Sequence, residues 1–444
     1  MSGQATYLDL APVPRSWDEI SITDASLEEL VLRRTLVGSR TSLTGLSHSL
    51  GLPMPMIEAI ARELRERKQL DFERMVGLDW MVGLTDVGRA AAHESMRRTR
   101  YVGPVPVSLE HYCRVVRGQR LRPMLTRVAV RQAFTDVVVD ERLIDELGPA
   151  MMSEGAIFVY GPPGTGKSTL AERLARLLGE PVLIPHAVEV DGQVITVFDP
   201  TVHTPIDPQP EIDRRWVLCR RPSIVVGGEL ARSQLDLGYD AQSGQHLAPL
   251  QMKANNGVLV IDDFGRQMMT PTELLNRWIV PLDRQLDYLT LSNGVRFDIP
   301  FDARVVFSTN LEPSTLGDEA FFRRLPNKVY VGAIDDAQFD TILAGVARAR
   351  GVGVDGDAAA YLRHLVRSKG DGELRPYVPG VVCNLAAAIC RYESIPVRLD
   401  RRILDRVASL YFTRMQTPEA RSARAAQDAL SAVATRHDDA APVR

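Results

Sequence analysis

The octapeptide Gly161-Pro-Pro-Gly-Thr-Gly-Lys-Ser168 follows the apolar run Ala156-Ile-Phe-Val-Tyr160 and precedes a helix-forming stretch, Ser168–Leu178. It meets G-x-x-x-x-G-K-[S/T] at every fixed position, in the strand–loop–helix order that the motif needs. Glycines let the backbone close on an anion, and successive amides form a nest that points at it. A helix opening near Lys167 adds the positive end of its dipole. Gly161, Pro162, Pro163, Gly164, Thr165, Gly166, Lys167, Ser168 and Thr169 are therefore the expected phosphate-binding set. Lys167 is expected to reach the β- and γ-phosphates, and the Ser168 hydroxyl to meet Mg²⁺. ATP and Mg²⁺ are the expected cofactors.

Two later apolar runs end in polar residues. Val258-Leu-Val-Ile-Asp-Asp263 reads as a buried parallel strand, whose carboxyl end is where open α/β sheets present ligands. Asp262 is expected to hold Mg²⁺ through water, and Asp263 to polarise the attacking water. Arg304-Val-Val-Phe-Ser-Thr-Asn310 is a second such strand, with Asn310 set to hydrogen-bond the γ-phosphate and the lytic water. Glu319-Ala-Phe-Phe-Arg-Arg-Leu325 reads as a short helix that carries Arg323 and Arg324. An arginine aimed at a neighbouring subunit's γ-phosphate stabilises charge developing in transfer. A surface salt bridge is the plainer use of the same residues.

Together these motifs make residues 123–415 resemble the AAA+ ATPases. The resemblance implies an α/β P-loop core over 123–333, with a parallel sheet between helices, and an α-helical lid over 334–415. It makes GPPGTGKS a Walker A motif, VLVIDD a Walker B motif, STN sensor 1 and FFRRL the arginine-finger region, favouring Arg324 over Arg323. Gly372-Glu-Leu-Arg375 is similar to the sensor 2 segment and nominates Arg375, with Arg363, Arg367 and Lys369 as basic competitors nearby. The order from Gly257 to Leu291 resembles the MoxR-like and related helix-2-insert ATPases. The interval between Lys167 and Asp262 is longer than a minimal core needs. Its runs Val182–Val190 and Gln193–Phe198, around Asp191-Gly192, read as an inserted hairpin with a primed turn over about 182–198. The family's hairpin faces the substrate side of a ring. The implied activity is ATP hydrolysis by a homo-oligomeric ring, a hexamer, that remodels a protein client.

Some residues depart from that pattern. The family's Walker B end is usually Asp-Glu, whereas here it is Asp262-Asp263, one methylene shorter at the second position. Asp-Asp is seen in the replication-initiator and helicase-loader branch, which keeps a DNA-associated ATPase as the alternative. The segment 214–239 has no family role; Ile224–Leu230 reads as a buried strand and turn, with Glu229 as an orienting carboxylate or a helix cap.

The N-terminal region carries other expectations. Residues 1–18 read as a flexible leader. Residues 19–100 resemble a winged-helix domain: a helix capped by Ser26, helices near 43–50 and 54–68, strands near 70–76 and 80–84, and a helix capped by Thr85. The residues that would enter a DNA groove, Met54, Pro55, Met56 and Glu58, lack base-reading chemistry. Residues 101–122 read as an arginine-rich linker. Nine arginines stand between Arg97 and Arg131 against the single acid Glu110, and this run would suit nucleic acid, an acidic partner or plain solvation. Residues 416–444 read as a disordered tail.

The net charge of −3 argues against a globally basic nucleic-acid binder. There is no signal-like start and no membrane-spanning run. The four cysteines lack C-x-x-C spacing, so free thiols and a cytoplasmic location are expected.

Overall fold

The structure is a computed structural model that describes residues 7–38, 40–120, 125–313, 325–370 and 372–412. The chain divides into two compact units. The first comprises Met1–Ala133, Asp145–Tyr160 and Ser168–Val329; the second comprises Phe134–Ile144, Gly161–Lys167 and Tyr330–Arg444.

The first unit opens with α1 (Tyr7–Leu10), α2 (Asp24–Gly38), β1 (Thr41–Ser42), α3 (Leu43–Leu50) and α4 (Met54–Glu66). These are followed by β2 (Leu70–Val76), β3 (Asp79–Leu84) and α5 (Asp86–Arg98). The three strands form an antiparallel sheet in the order β1-β3-β2. Local chemistry sets the ends. Ser42 Oγ accepts from the Gly45 amide at 3.1 Å, Thr85 Oγ1 accepts from the Gly88 amide at 3.0 Å, and Gly51 ends α3 at φ 71°. Helix α2 starts at Asp24, ahead of the expected Ser26 cap. The face of α4 with Ile57, Ile60 and Leu64 is buried with Leu30, Leu46, Leu50 and Val82.

The leader is anchored at Ala11, although Tyr7 and Leu8 before it are exposed. Ala11 is fully buried, its carbonyl accepts from the Asp213 amide at 3.0 Å, and Ile20 O accepts from Arg215 Nη1 at 3.4 Å. Arg215 and Asp213 form an ion pair at 2.7 Å with both side chains buried. The expected linker is structural too. Tyr101, Val105 and Val107 are buried, β4 (Val107–Ser108) joins a sheet, and α6 (Leu109–Gly118) buries Tyr112, Val115 and Val116. Arg114 and Arg117 occupy the outer face of α6, so part of the arginine run is the polar side of an amphipathic helix. Two further helices follow, α7 (Arg127–Ala133) and α8 (Glu141–Met152).

The insert divides differently from the sequence reading. Val182–Val190 is two strands, β6 (Val182–Pro185) and β7 (Ala187–Val190), broken at His186. β6 pairs antiparallel with Trp216–Cys219, while β7 makes the hairpin with β8 (Gln193–Thr196). Its turn residues Asp191 and Gly192 have φ of 51° and 72°, the left-handed pair that a primed turn requires. The hairpin sits inside a five-stranded sheet with β4 and the strands Gly238–Asp240 and Gln245–Leu247. Ala187 and Val194 are buried in the same cluster as the N-terminal helices, so one face of the expected client-facing hairpin is covered.

Continuing the labels in chain order, and counting α9 (Lys167–Leu174), β9 (Trp216–Cys219), β11 (Gly238–Asp240), β12 (Gln245–Leu247), α10 (Leu250–Lys253), β14 (Leu286–Thr290) and β15 (Arg296–Pro300), the core strands are β5 (Ile157–Tyr160), β10 (Ser223–Val226), β13 (Val258–Ile261), β16 (Arg304–Thr309) and β17 (Asn327–Tyr330). They form a sheet in the order β10-β13-β16-β5-β17, with the first four in parallel register. Near-continuous burial of β5, β13 and β16 explains their unbroken apolar sequences. Helix α11 (Pro271–Arg284) starts with a capping box between Thr270 and Glu273 and buries Trp278.

The second unit contains the helices α12 (Asp336–Arg350), α13 (Ala358–Lys369), α14 (Val378–Tyr392) and α15 (Arg401–Tyr411). They pack around Phe339, Leu343, Leu362, Val382 and Val407. Asp335 and Asp400 cap α12 and α15.

Candidate functional site

The phosphate loop belongs to the second unit, where its shape is fixed by three glycines with positive φ: Gly161 at 143°, Gly164 at 77° and Gly166 at 90°. A Cβ at Gly161 would strike the Val331 carbonyl, and one at Gly164 would strike the Tyr377 ring. Thr165 is buried and donates its hydroxyl to Pro162 O at 3.0 Å. Lys167, only 6% exposed, donates to Gly161 O at 2.9 Å and Pro162 O at 2.7 Å. Its ammonium is thus held against the loop's own backbone.

Arg375 comes from the lid yet meets this loop, with Nη1 donating to Pro163 O at 3.1 Å. Two of the three competing cations are engaged elsewhere: Arg363 pairs with Asp340 and Asp336, and Arg367 pairs with Asp336. Tyr377 is a neighbour that sequence reasoning missed. Its ring covers Gly164 and its hydroxyl meets that of Tyr411 at 2.9 Å. Nothing in its local sequence signals this, because both contacts are distant along the chain.

The first unit holds the carboxylates. The amide of Asp262 continues the sheet by donating to Val226 O at 2.8 Å. Asp263 then turns into the left-handed region at φ 48°. Asn310 Nδ2 faces Asp263 Oδ1 at 3.5 Å. Two side chains brace the turn. Gln267 donates to Asp262 O at 2.9 Å, and Thr309 Oγ1 donates to Phe264 O at 2.7 Å. Ser168 and Thr169 lie in the first turn of the helix Lys167–Leu174. Glu229 is neither a helix cap nor a partner of these residues. Its carboxylate accepts from the Gly227 amide at 2.9 Å, and that bond holds it below the usual carboxylate range. Arg323 and Arg324 lie outside the described residues.

The residues present fit the expected cofactors. Three glycines, an amide nest and a buried lysine suit a phosphate chain, and the Ser168 hydroxyl and Asp262 carboxylate are the hard oxygen donors that Mg²⁺ prefers.

Residues 157–269 match the family described as "ATPase family associated with various cellular activities (AAA)". The fold is that of an AAA+ P-loop NTPase. A domain of unknown function (DUF8689) matches residues 335–410, the span of helices α12 to α15. No curated protein matches this chain. Among solved structures, NtrX from Brucella abortus in complex with ATP aligns at 16% identity and TM-score 0.39, covering 67% of this chain and 61% of that one. The Thermotoga maritima RuvB Holliday junction branch migration motor aligns at 16% identity and TM-score 0.35, covering 66% of this chain and 72% of that one. At such scores neither likeness adds to the assignment. Among the described residues, no helix is long and apolar enough to cross a membrane.

Proposed function

We propose that this AAA+ protein binds ATP with Mg²⁺, hydrolyses it within a homo-oligomeric ring, a hexamer, and uses the cycle to remodel a protein client. The observation that carries the reading is Arg375, a lid residue hydrogen-bonded to the phosphate loop that also holds Lys167. Such a bond gives the lid a direct means of sensing what the loop holds. Lys167 and the loop amides bind the phosphates. Mg²⁺, held by Ser168 and Asp262, would neutralise charge on the β- and γ-phosphates. Asp263 orients and deprotonates the attacking water, with Asn310 fixing its geometry. The left-handed backbone at Asp263 offers a way to re-aim the shorter side chain. Arg324, with Arg323 beside it, is supplied by the neighbouring subunit.

Residues 19–100 act in this reading as a winged-helix module that docks protein. On α4, Arg62 pairs with Glu58 at 3.0 Å, and the adjacent Arg67 pairs with Glu63 and Glu28 at 2.6 Å each. Cations already paired to carboxylates are poor phosphate ligands. The tip of the wing bears Leu78 at 99% exposure, which suits a protein surface. The hairpin β7–β8, of the helix-2-insert kind found in MoxR-like ATPases, would transmit client contact to the core. A DNA-associated ATPase remains the second reading, favoured by the exposed Arg114 and Arg117 on α6.

Lys167→Ala should abolish ATP binding measured by calorimetry, and Asp263→Asn should bind ATP without turnover. Retained affinity in the first variant would contradict the phosphate-loop assignment. ATP-locked Asp263→Asn protein should capture a protein client in a pull-down. Salt-sensitive duplex binding in place of a client would favour the DNA reading.

A further inference from the structure

At the base of the core sheet, the end away from Asp262, Asp263 and Asn310, lies a cavity of about 230 Å³. It opens beside the first residues of β13 and β16 and the last residues of α8 and α11. Arg120, Arg221 and Arg304 all line it.

Capping of backbone carbonyls accounts for two of them. Arg304 donates to Gly155 O at 2.7 Å and Met151 O at 3.2 Å, closing the end of α8. Arg221 donates to Glu180 O, Asn256 O and Gln119 O at 2.9, 2.6 and 3.2 Å. Arg120 is different. Its Nε meets Asp302 Oδ1 at 3.2 Å, and its two Nη groups have no hydrogen-bond partner among the described residues.

Fewer carboxylates than guanidinium groups are enclosed here, because Glu180, which faces Arg221, and Glu154, which faces Arg304, are both exposed. Asp302 is the enclosed carboxylate, and its other oxygen is taken by Asn256 Nδ2 at 2.6 Å; Glu154 lies at the exposed rim. Burial holds Asp302 above the usual carboxylate range although all three arginines pull it down. Burial also pushes Arg221 down to about 10. Guanidinium groups withdrawn from water, as those of Arg221 and Arg304 are, are costly unless an anion matches them, whereas the Arg120 side chain keeps 34% of its surface open to a ligand. Their planar forks match the paired oxygens of phosphates and carboxylates. Met152 and Leu282 give the cavity an apolar wall beside this charge.

We propose that this cavity binds a small organic anion, its oxyanion head taken by the two Nη groups of Arg120 with the positive charge of Arg221 and Arg304 beside it, and its apolar body against Met152 and Leu282. The site is separate from the phosphate loop and does not rest on the ATPase reading.

The test titrates the full chain, wild type saturated with ADP and Lys167→Ala without nucleotide, with inorganic phosphate or with succinate, followed by calorimetry and thermal shift. Wild type and Lys167→Ala should both respond to at least one probe. A response to phosphate alone assigns a phosphate head group, and a response to succinate alone assigns a carboxylate. Arg120→Met should bind that probe at least tenfold more weakly while keeping wild-type ATP affinity. Arg120→Lys keeps the charge but loses the fork, so it should fall between them and serves if the Met variant does not fold. No response from wild type to either probe overturns the proposal. So does a response lost in Lys167→Ala, which would belong to the phosphate loop, or one unchanged in both Arg120 variants.

Discussion

Gly164 shows how one position answers to both sequence and fold. Its φ of 77° is a conformation that costs an L-residue about 1–2 kcal/mol, and the Tyr377 ring fills the space where a Cβ would go. Gly164→Ala should therefore distort the loop and weaken ATP binding by about tenfold or more. Wild-type affinity in calorimetry would show that the loop and Tyr377 can yield. Asp263 makes the complementary point. Its identity raised a question about reach, and only the backbone angle of 48° and the 3.5 Å approach of Asn310 show how the side chain is aimed.

At the scale of elements, caps and turns were legible because their chemistry is local. Thr85 was readable as a helix cap, and it also donates its hydroxyl to Lys68 O at 2.6 Å. Thr85→Ala should cost about 1–2 kcal/mol in denaturant unfolding, the upper range for a cap because two bonds go together. A loss within error would mean that the helix end is satisfied by solvent. The primed turn at Asp191-Gly192 was legible for the same reason. The strand pairing of Val182–Val190 was not. An apolar run does not announce a break at His186 when both halves are buried in different sheets. Helix α6 was hidden by its arginines, although its apolar residues at 112, 115 and 116 lie on one helical face.

Across the first unit, four histidines connect burial to pH. His111, His186, His203 and His246 are all held below the ordinary histidine range, each chiefly by burial. The bonds of two agree with neutral rings. His203 Nδ1 accepts from the Asp199 amide at 2.9 Å, and His246 Nε2 accepts from the Ser292 amide at 3.1 Å. In the unfolded chain these rings take up protons near pH 6.5, whereas the folded ones resist until lower pH. The unfolded state then binds more protons, so stability falls as pH drops below about 6.5 and is unaffected by these groups above it. The thermal midpoint should be level between about pH 7 and 8 and decline from about 6.5 to 5.5. A midpoint that holds through that acid range would contradict the neutral-ring assignment.

The sequence by itself determined the phosphate loop, the buried apolar strands that run into Asp262-Asp263 and Asn310, and the helix start at Thr85. Each of these is written in contiguous residues whose backbone needs, apolar period or capping chemistry act over one or two turns. Tertiary structure alone decided that Arg375 meets a loop 212 residues away, that the leader is clamped beside the buried Arg215–Asp213 pair, and that Ala187 and Val194 close the N-terminal core. These outcomes depend on which distant surface excludes water from a residue, and no local pattern encodes its partner.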